Sequence, residues 1–570
     1  MAAWSHRAAD ADLARRLAVA LGISEPVATV LARLGPDEAE AERHLRPQLA
    51  HVSDPFAVGG LRAAAERLVQ AAAAGERIAI LGDYDVDGVS STAMLVHCLR
   101  RLGAEPAYFV PRRMEEGYGL SMAALDRVLA EARPQLFVAL DCGTNSLVEV
   151  ARLRSAGVEV IVVDHHVAKD GHAVCTLVNP RVNDPADAPW QSLCTAGLVF
   201  KLIHGILKVL RLAGDDRGTS IAVKDYLDLA ALGTIADLVP LRAENRILAS
   251  HGLRALGEAR RPGLRALIAV SGMEPGGILT SVDVSYRLGP RINASGRLAD
   301  ASLPLNLLLA EAREDCERDA AQLDAINRER REVEAGMREQ AEAAVERLLA
   351  QLQAPPAALT LFDEGFHEGV VGIVAGRMKD RLHRPAFVFA RAQDGSLKGS
   401  GRSIPGFHLR DALDLVSKRA PGVLRRFGGH AMAAGATLEP DGLADFDAAL
   451  QQVAREWLDA ATLQRTLRTD GPLDVQWFNP ETVALLDAQV WGSGFEAPLF
   501  CDEVEVLQQT LLKERHLKLR LRHAGQVRDA VWFQRTVPLP GQVRLAFRLA
   551  RDEWNGRQRV QMMVEAAQES

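Results

Sequence analysis

At 570 residues the chain is too long for one hydrophobic core, and three or four domains of roughly 100 to 200 residues are expected. Hydrophobic residues make up 48% and charged residues 25%, an ordinary globular composition that excludes a disordered or collagen-like chain. A formal net charge of −7 excludes a protein that coats nucleic acid by global attraction, so any polyanion must be met by local patches.

In chain order, residues 1–55 read as an N-terminal helical extension. Asp10, Asp12, Arg15 and Arg16 stand where an export signal needs an apolar core. No later stretch reaches the ~18 apolar residues of a membrane span, so neither export nor a membrane is expected. The six cysteines (Cys98, Cys142, Cys175, Cys194, Cys316, Cys501) lie far apart with no C-x-x-C pair. That excludes a zinc knuckle or a disulfide framework and fits a reducing cytoplasm.

Residues 56–304 form the first large region. From about Arg77 to Pro240 short β-branched runs alternate with helical stretches, the pattern of an α/β domain with a parallel sheet. Strands are predicted over 77–81, 107–110, 136–140 and 158–163, and three of the four run into aspartate. Ligands of open α/β sheets bind beyond the carboxyl ends of the strands, where Asp83, Asp141 and Asp164 would sit. Residues 305–353 are rich in Ala, Glu, Arg, Gln and Leu and predict one long connecting helix, its apolar spacing too irregular for a coiled coil. A glycine-rich second α/β domain follows over 354–460, and 461–570 alternates apolar and basic residues like a small β-barrel. Between Leu511 and Val560 twelve Lys or Arg face four Asp or Glu, a local basic excess.

The run Gly82-Asp83-Tyr84-Asp85-Val86-Asp87-Gly88 copies the start of a calcium loop, but the twelfth position is Met94 instead of Glu and a strand precedes it. Alone it could be an ordinary turn. Asp141 ends the third strand, Asp164-His165-His166 ends the fourth, and Asp237 closes an apolar helix-like stretch. Each has a plain reading as a cap or a satisfied polar residue. Together they crowd like charges into one crevice unless cations neutralise them. Mixed carboxylate and imidazole ligands suit two Mn²⁺ or Mg²⁺ ions, which serve phosphoryl displacement.

DYDVDG, Asp141-Cys142-Gly143, Asp164-His165-His166 and Asp237 in GTIADLVP occur in the order of the DHH phosphoesterases, which the chain resembles. With Asp54-Pro55-Phe56, PRRMEEGYGL from Pro111, GPRINASGR from Gly289 and Gly428-Gly429-His430, the likeness runs almost end to end and is to the RecJ family of single-strand-specific exonucleases. The resemblance implies a DHH domain, a DHHA1-type domain and a C-terminal OB-fold. It implies Asp85, Asp87, Asp141, His165 and Asp237 as ligands of two divalent cations, Mn²⁺ or Mg²⁺, with Asp83 and His166 assisting the chemistry. It further implies 5′ to 3′ hydrolysis of single-stranded DNA in repair and recombination. The implied setting is a cytoplasmic monomer that works with a single-strand-binding protein and a helicase.

Arg113, Arg291 and Arg297 are candidates for phosphate contacts, since Arg matches phosphate bidentately; the plain alternative is solvated surface charge. In the second α/β region Gly369, Gly372 and Gly376 let backbone amides approach a phosphate, although close helix packing explains them about as well, while Arg377, Arg402, Gly428, Gly429 and His430 resemble that family's nucleic-acid-gripping elements. Trp532, Phe533 and Trp554 of the OB region are stacking or core residues. One departure is Gly492–Pro498, with Phe-Glu where the family usually shows Gly-Asn. A narrow channel beside the long helix would admit single strands and exclude duplex. The rival readings are a phosphodiesterase on short oligonucleotides or nucleotide phosphates, and a non-catalytic DHH scaffold that binds DNA.

Overall fold

The computed structural model describes residues 3–113, 115–117, 119–169, 171–351, 355–552 and 559–569. Met114 and Tyr118 of PRRMEEGYGL, Trp554, and the expected boundary at 353/354 lie outside the described residues. The chain divides into two compact units, one of His6–Asp324 with Arg468–Ser570 and one of Met1–Ser5 with Ala325–Leu467.

The larger unit opens with three helices, α1 (Ala11–Leu21), α2 (Glu25–Ala32) and α3 (Glu38–Leu45). Asp10 caps α1 by accepting from the amides of Asp12 and Leu13, and Asp37 caps α3 in a capping box with Glu40. These helices have no core of their own: Leu17, Val27 and Leu31 pack in one cluster with Phe478 and with Leu519, Leu521 and Phe547 of the C-terminal barrel. The Arg33–Asp470 ion pair fastens the same contact.

A five-stranded parallel sheet follows, of β1 (Ile78–Gly82), β2 (Ala107–Phe109), β3 (Leu136–Leu140), β4 (Glu159–Val163) and β5 (Thr176–Val178), in the order β2-β1-β3-β4-β5. Every residue of β1 and β3 is buried, as expected where helices cover both faces. The chain direction across the sheet reverses between β1 and β3, so a ligand crevice is expected where those two strands end. Helices α4 (Val86–Arg101), α5 (Thr195–Leu212), α6 (Leu227–Ala236) and α7 (Ala243–Glu258) pack around this end. A buried Lys201 holds α5 to α7, with its Nζ donating to Glu244 Oε2 at 2.8 Å and to Ser53 Oγ at 2.6 Å.

After a π-helical turn, Val284–Leu288, come α8 (Gly289–Leu298), α9 (Leu303–Leu309) and α10 (Arg313–Gln351). The single helix expected from 305 is therefore two. Leu305, Leu307 and Leu308 of α9 are drawn into the main core, and Ala310 turns extended (ψ 139°) before α10 begins. The division between units falls inside α10.

The smaller unit holds β6 (Leu359–Phe362), α11 (Val371–Leu382), β7 (Ala386–Arg391), β8 (Leu397–Arg402), β9 (Leu424–Gly429) and β10 (Ala433–Leu438). Its sheet order is β9-β10-β8-β7-β6. Packing explains two of its glycines: a Cβ at Gly399 or Gly401 would lie 2.3 or 2.4 Å from the rings of Phe389 or Phe387.

In the larger unit β11 (Phe500–Leu512), β12 (His516–His523), β13 (Gln526–Trp532), β14 (Gln542–Asp552) and β15 (Arg559–Glu569) close a barrel in the order β11-β12-β13-β15-β14. Along β12 Leu517, Leu519 and Leu521 point inward while Lys518, Arg520 and Arg522 are exposed, the alternation read from the sequence. Phe495, at the departure from the family pattern, is buried against Trp491 (ring centroids 4.7 Å apart) and under the Arg246 guanidinium. That loop is seated further by the amide of Leu241, which donates to Ser493 O at 2.7 Å. Among the described residues no helix is long and apolar enough to cross a membrane.

Candidate metal centre

The DYDVDG run joins β1 to α4 in one tight turn. Asp85 caps α4, its Oδ1 accepting from the amide of Gly88 at 3.0 Å. A Cβ on Gly88 would lie 2.3 Å from the Asp83 carbonyl oxygen, so the turn closes only around glycine. In the first turn of α4, Asp87 is buried and accepts from two amides at the start of α5: Ala196 to Oδ1 at 2.7 Å and Thr195 to Oδ2 at 2.8 Å. Asp237 arrives at the end of α6. The closeness of α6 depends on Gly233, whose Cβ would sit 2.5 Å from Ala196 Cβ and 2.9 Å from Asp87 Oδ1.

Asp141 follows β3 with φ +63°, a left-handed conformation that costs a non-glycine residue about 1–2 kcal/mol. It is buried, and Thr195 Oγ1 donates to its Oδ1 at 2.9 Å. Asp164 follows β4 and serves as an organiser. Its Oδ1 accepts from the amides of His165 and His166 and from His166 Nδ1 (2.7 Å), while Oδ2 accepts from the Thr144 amide at 3.1 Å. Asn179 Nδ2 adds a bond to the His166 carbonyl at 2.9 Å. The His165 ring turns the other way, with Nε2 at 3.4 Å from Asp141 Oδ1, 3.6 Å from Asp237 Oδ2 and 3.8 Å from Asp87 Oδ2.

Three donor groups result, Asp141/His165/His166, Asp87/His165/Asp237 and Asp83/Asp85/Asp141, each with its ligand atoms within 4.8 Å of one another. All seven residues expected to bind metal or assist chemistry are in them. The electrostatics show what the fold pays to assemble this cluster. Burial, then the charge of Asp85, pushes Asp83 up to about 7 and Asp87 up to about 6. Burial, then Asp87 and Asp85, pushes Asp237 up to about 8, and burial with Asp87 raises Asp141 well above the carboxylate range. Asp164 differs: burial would raise it too, but its bonds to His166 and Thr144 hold it well below that range. Burial opposes charge on His166, yet the bond to Asp164 holds its pKa up at about 9.

Sequence reasoning placed Asp164 in the crevice without giving it a role, and missed Thr195, Thr144 and Asn179. Strand-end position was the available signal for Asp164; a threonine opening an apolar helix carries none.

The expected nucleic-acid residues divide. Arg113 lies 5.8 Å from the Tyr84 ring centroid, at the rim of the DYDVDG turn. Arg297 is on α8, which reaches the same tyrosine through Gly296. Arg291 is engaged structurally: its Nε donates to Asp324 Oδ1 at 3.0 Å and its Nη1 to the Arg287 carbonyl at 2.7 Å. In the smaller unit the register sets Ala433 opposite Arg402 and Ala434 opposite both Gly401 and Gly429. Arg402, Gly428, Gly429 and His430 therefore share one end of the sheet. Gly372 opens α11 beside them, its absent Cβ leaving room for Arg402 Nη2. Arg377, farther along α11, pairs with Glu334 at 3.3 Å.

Three family models match the chain: the DHH family N-terminal domain over residues 77–234, the DHHA1 domain over 344–456 and the RecJ OB domain over 469–566. The single-stranded-DNA-specific exonuclease RecJ of Escherichia coli strain K12 is 40% identical over 525 residues, covering 89% of this chain and 90% of that protein. The crystal structure of RecJ from Thermus thermophilus in complex with Mn²⁺ matches with a TM-score of 0.83 at 29% identity, over 100% of this chain and 80% of that one. Its Mg²⁺ complex matches with a TM-score of 0.76 at 28% identity, over 100% and 78%. With three family models matched in order and a relative 40% identical over most of both chains, the chain belongs to the RecJ family of single-stranded-DNA-specific exonucleases.

Proposed function

We infer that the protein is a divalent-metal-dependent exonuclease that hydrolyses single-stranded DNA to nucleotides from the 5′ end, in DNA repair and recombination. One observation carries the reading: seven carboxylate and imidazole side chains from four separate stretches of chain meet in one crevice. The donor set fits the ions. Oxygen-rich sites with imidazole suit Mn²⁺ or Mg²⁺, and burial, then the neighbouring carboxylates, raises the pKa values of Asp83, Asp87 and Asp237, a cost that bound cations would relieve. Asp85, Asp87, Asp141, His165 and Asp237 would hold the two cations. Bound there, the ions supply a low-pKa water and charge neutralisation at the phosphorus.

The chain's own groups do the rest. Asp164 fixes the His166 ring and keeps it protonated at neutral pH, so it can pair with a phosphate oxygen or give its proton to the leaving oxygen. Asp83, grouped with Asp85 and Asp141, can take up a proton from the attacking side. Arg113 and Arg297 meet phosphates near the crevice; Arg377, Arg402, Gly428, Gly429 and His430 grip the strand in the smaller unit. The exposed Lys518, Arg520 and Arg522 of β12 offer the barrel's basic face. The enzyme acts as a cytoplasmic monomer beside a single-strand-binding protein and a helicase; its six free thiols support a reducing compartment.

The test is end-labelled single-stranded and blunt duplex DNA, with 5′ or 3′ label, incubated with and without Mn²⁺. Metal-dependent release of 5′ label as nucleotides from single strands alone is expected. Equal rates on both substrates would count against the reading, and cleavage confined to short oligonucleotides would move it to the small-substrate phosphodiesterases.

A further inference from the structure

Thr195 is buried at the first position of α5, outside every motif that marks the site. It nonetheless makes two bonds to the cluster, and they go to two different carboxylates. Its amide donates to Asp87 Oδ2 at 2.8 Å and its hydroxyl donates to Asp141 Oδ1 at 2.9 Å. Those are the oxygens that face His165, at 3.8 and 3.4 Å from Nε2. In sequence Asp87 and Asp141 are far apart, they emerge from different strands, and their charges repel. One residue holding an oxygen of each fixes their separation before any ion arrives.

We propose that Thr195 is a positioning residue that sets the spacing of Asp87 and Asp141 and thereby the affinity of the centre for divalent cations. The proposal rests on the reading of these aspartates as metal ligands. Groups that orient ligands by hydrogen bonding typically govern ~10–100-fold in metal affinity. The amide bond belongs to the backbone and survives substitution; the hydroxyl bond does not. Asp141 is the more dependent of the two carboxylates, because Asp87 keeps the amides of Thr195 and Ala196 whereas Asp141 accepts from the hydroxyl that the substitution removes. Without the hydroxyl its side chain can rotate away from its neighbours, as like-charge repulsion favours.

Thr195→Val keeps the shape and removes the donor, whereas Thr195→Ser keeps the donor and trims a methyl group. Mn²⁺ binding to the purified full-length protein, followed by the electron paramagnetic resonance signal of free Mn²⁺, is the primary readout, with melting in EDTA and exonuclease rate against Mn²⁺ concentration beside it. Thr195→Val is expected to weaken Mn²⁺ binding about tenfold or more, to shift the Mn²⁺ dependence of the rate by the same factor, and to recover most of the rate at saturating metal. Thr195→Ser should match the parent in Mn²⁺ affinity. Wild-type Mn²⁺ affinity in Thr195→Val overturns the proposal, as does equal impairment in Thr195→Ser, which would make the methyl packing decisive. Asp141→Asn separates the two levels: if it too binds Mn²⁺ like the parent, the ligand assignment itself fails, and if it loses binding while Thr195→Val does not, only the role of Thr195 falls.

Discussion

The crevice of the larger unit and the glycine-lined sheet end of the smaller unit were both expected to touch the substrate, and they differ in how their charges are answered. In the crevice five aspartates are met by two imidazoles and by amide and hydroxyl donors, and burial with mutual repulsion drives several of their pKa values toward neutrality. In the smaller unit the arginines have protein partners: Glu334 for Arg377 on α11, and Ser400 with the Gly401 carbonyl for Arg402 at the sheet end. Its glycines are in part demanded by the Phe387 and Phe389 rings. A surplus of one charge inside a fold has no structural use and points to a ligand. Balanced charges serve the fold equally well, so their part in strand binding has to be measured.

The sharpest test of that contrast is Asp141→Asn, a substitution that tolerates the left-handed backbone there. It should cost several kcal/mol of transition-state stabilisation, on the order of 10³-fold in rate, with strand affinity nearly intact. In EDTA its melting temperature should equal or exceed the parent's, because one of the repelling carboxylates is gone. A variant that still turns over at the parental rate removes Asp141 from the chemistry. Next in size is the metal itself. Mn²⁺ at a hundred times its Kd should stabilise the larger unit by about 2.7 kcal/mol, seen as a rise in its calorimetric transition that Asp141→Asn abolishes. No rise in the parent would mean that the crevice is not a cation site.

Smaller effects separate Arg402 from Arg291. Arg402→Ala should weaken single-strand binding and flatten the slope of log affinity against log salt by about 0.7. Arg291→Ala should leave that slope alone and lower the melting temperature, since it strips Asp324 and the Arg287 carbonyl of a donor. If both variants change the slope equally, the division between balanced structural arginines and strand-binding ones collapses.

The sequence carried the catalytic crevice because strand-end aspartates are local signals: β3 occupies the five residues predicted for it, β1 shifts by one, and β4 begins one residue late and ends where predicted. What it could not carry depends on distant partners. Thr195 touches Asp87 and Asp141 across 108 and 54 residues, and nothing near it in the chain announces either. The same holds for α1–α3, which read as a separate extension although their apolar faces fit only the barrel at the other end of the chain. The helix break at Ala310 was hidden because the apolar Leu305, Leu307 and Leu308 suit a helix on either side of it. The three-residue β5 was overlooked, although β2 of the same length was found.

The least of the expected effects concerns stability, and it places a third kind of polar group beside the other two. His44 packs edge-on against Phe495, ring centroids 4.3 Å apart, and burial, followed by the charges of Arg246 and Arg242, pushes its pKa down to about 3. His97, bonded through Nδ1 to the Tyr226 hydroxyl at 3.1 Å, is held at about 4 by burial and then by Arg261. Both lie below the ~6.5 of an unfolded histidine, so between those values the unfolded chain binds protons that the folded chain refuses. The stability they permit is whole above pH ~6.5 and drains away as pH falls toward 4. His44→Phe keeps an aromatic ring beside Phe495 and cannot take up a proton. In EDTA, where the metal centre contributes no ion binding, its melting temperature should fall less steeply than the parent's between pH 6.5 and 4, with the exonuclease rate at neutral pH unchanged. An identical slope in the variant would show that the acid sensitivity comes from elsewhere, and Asp83, Asp87, Asp141 and Asp237, whose pKa values burial raises, gain stability as they protonate and cannot supply it.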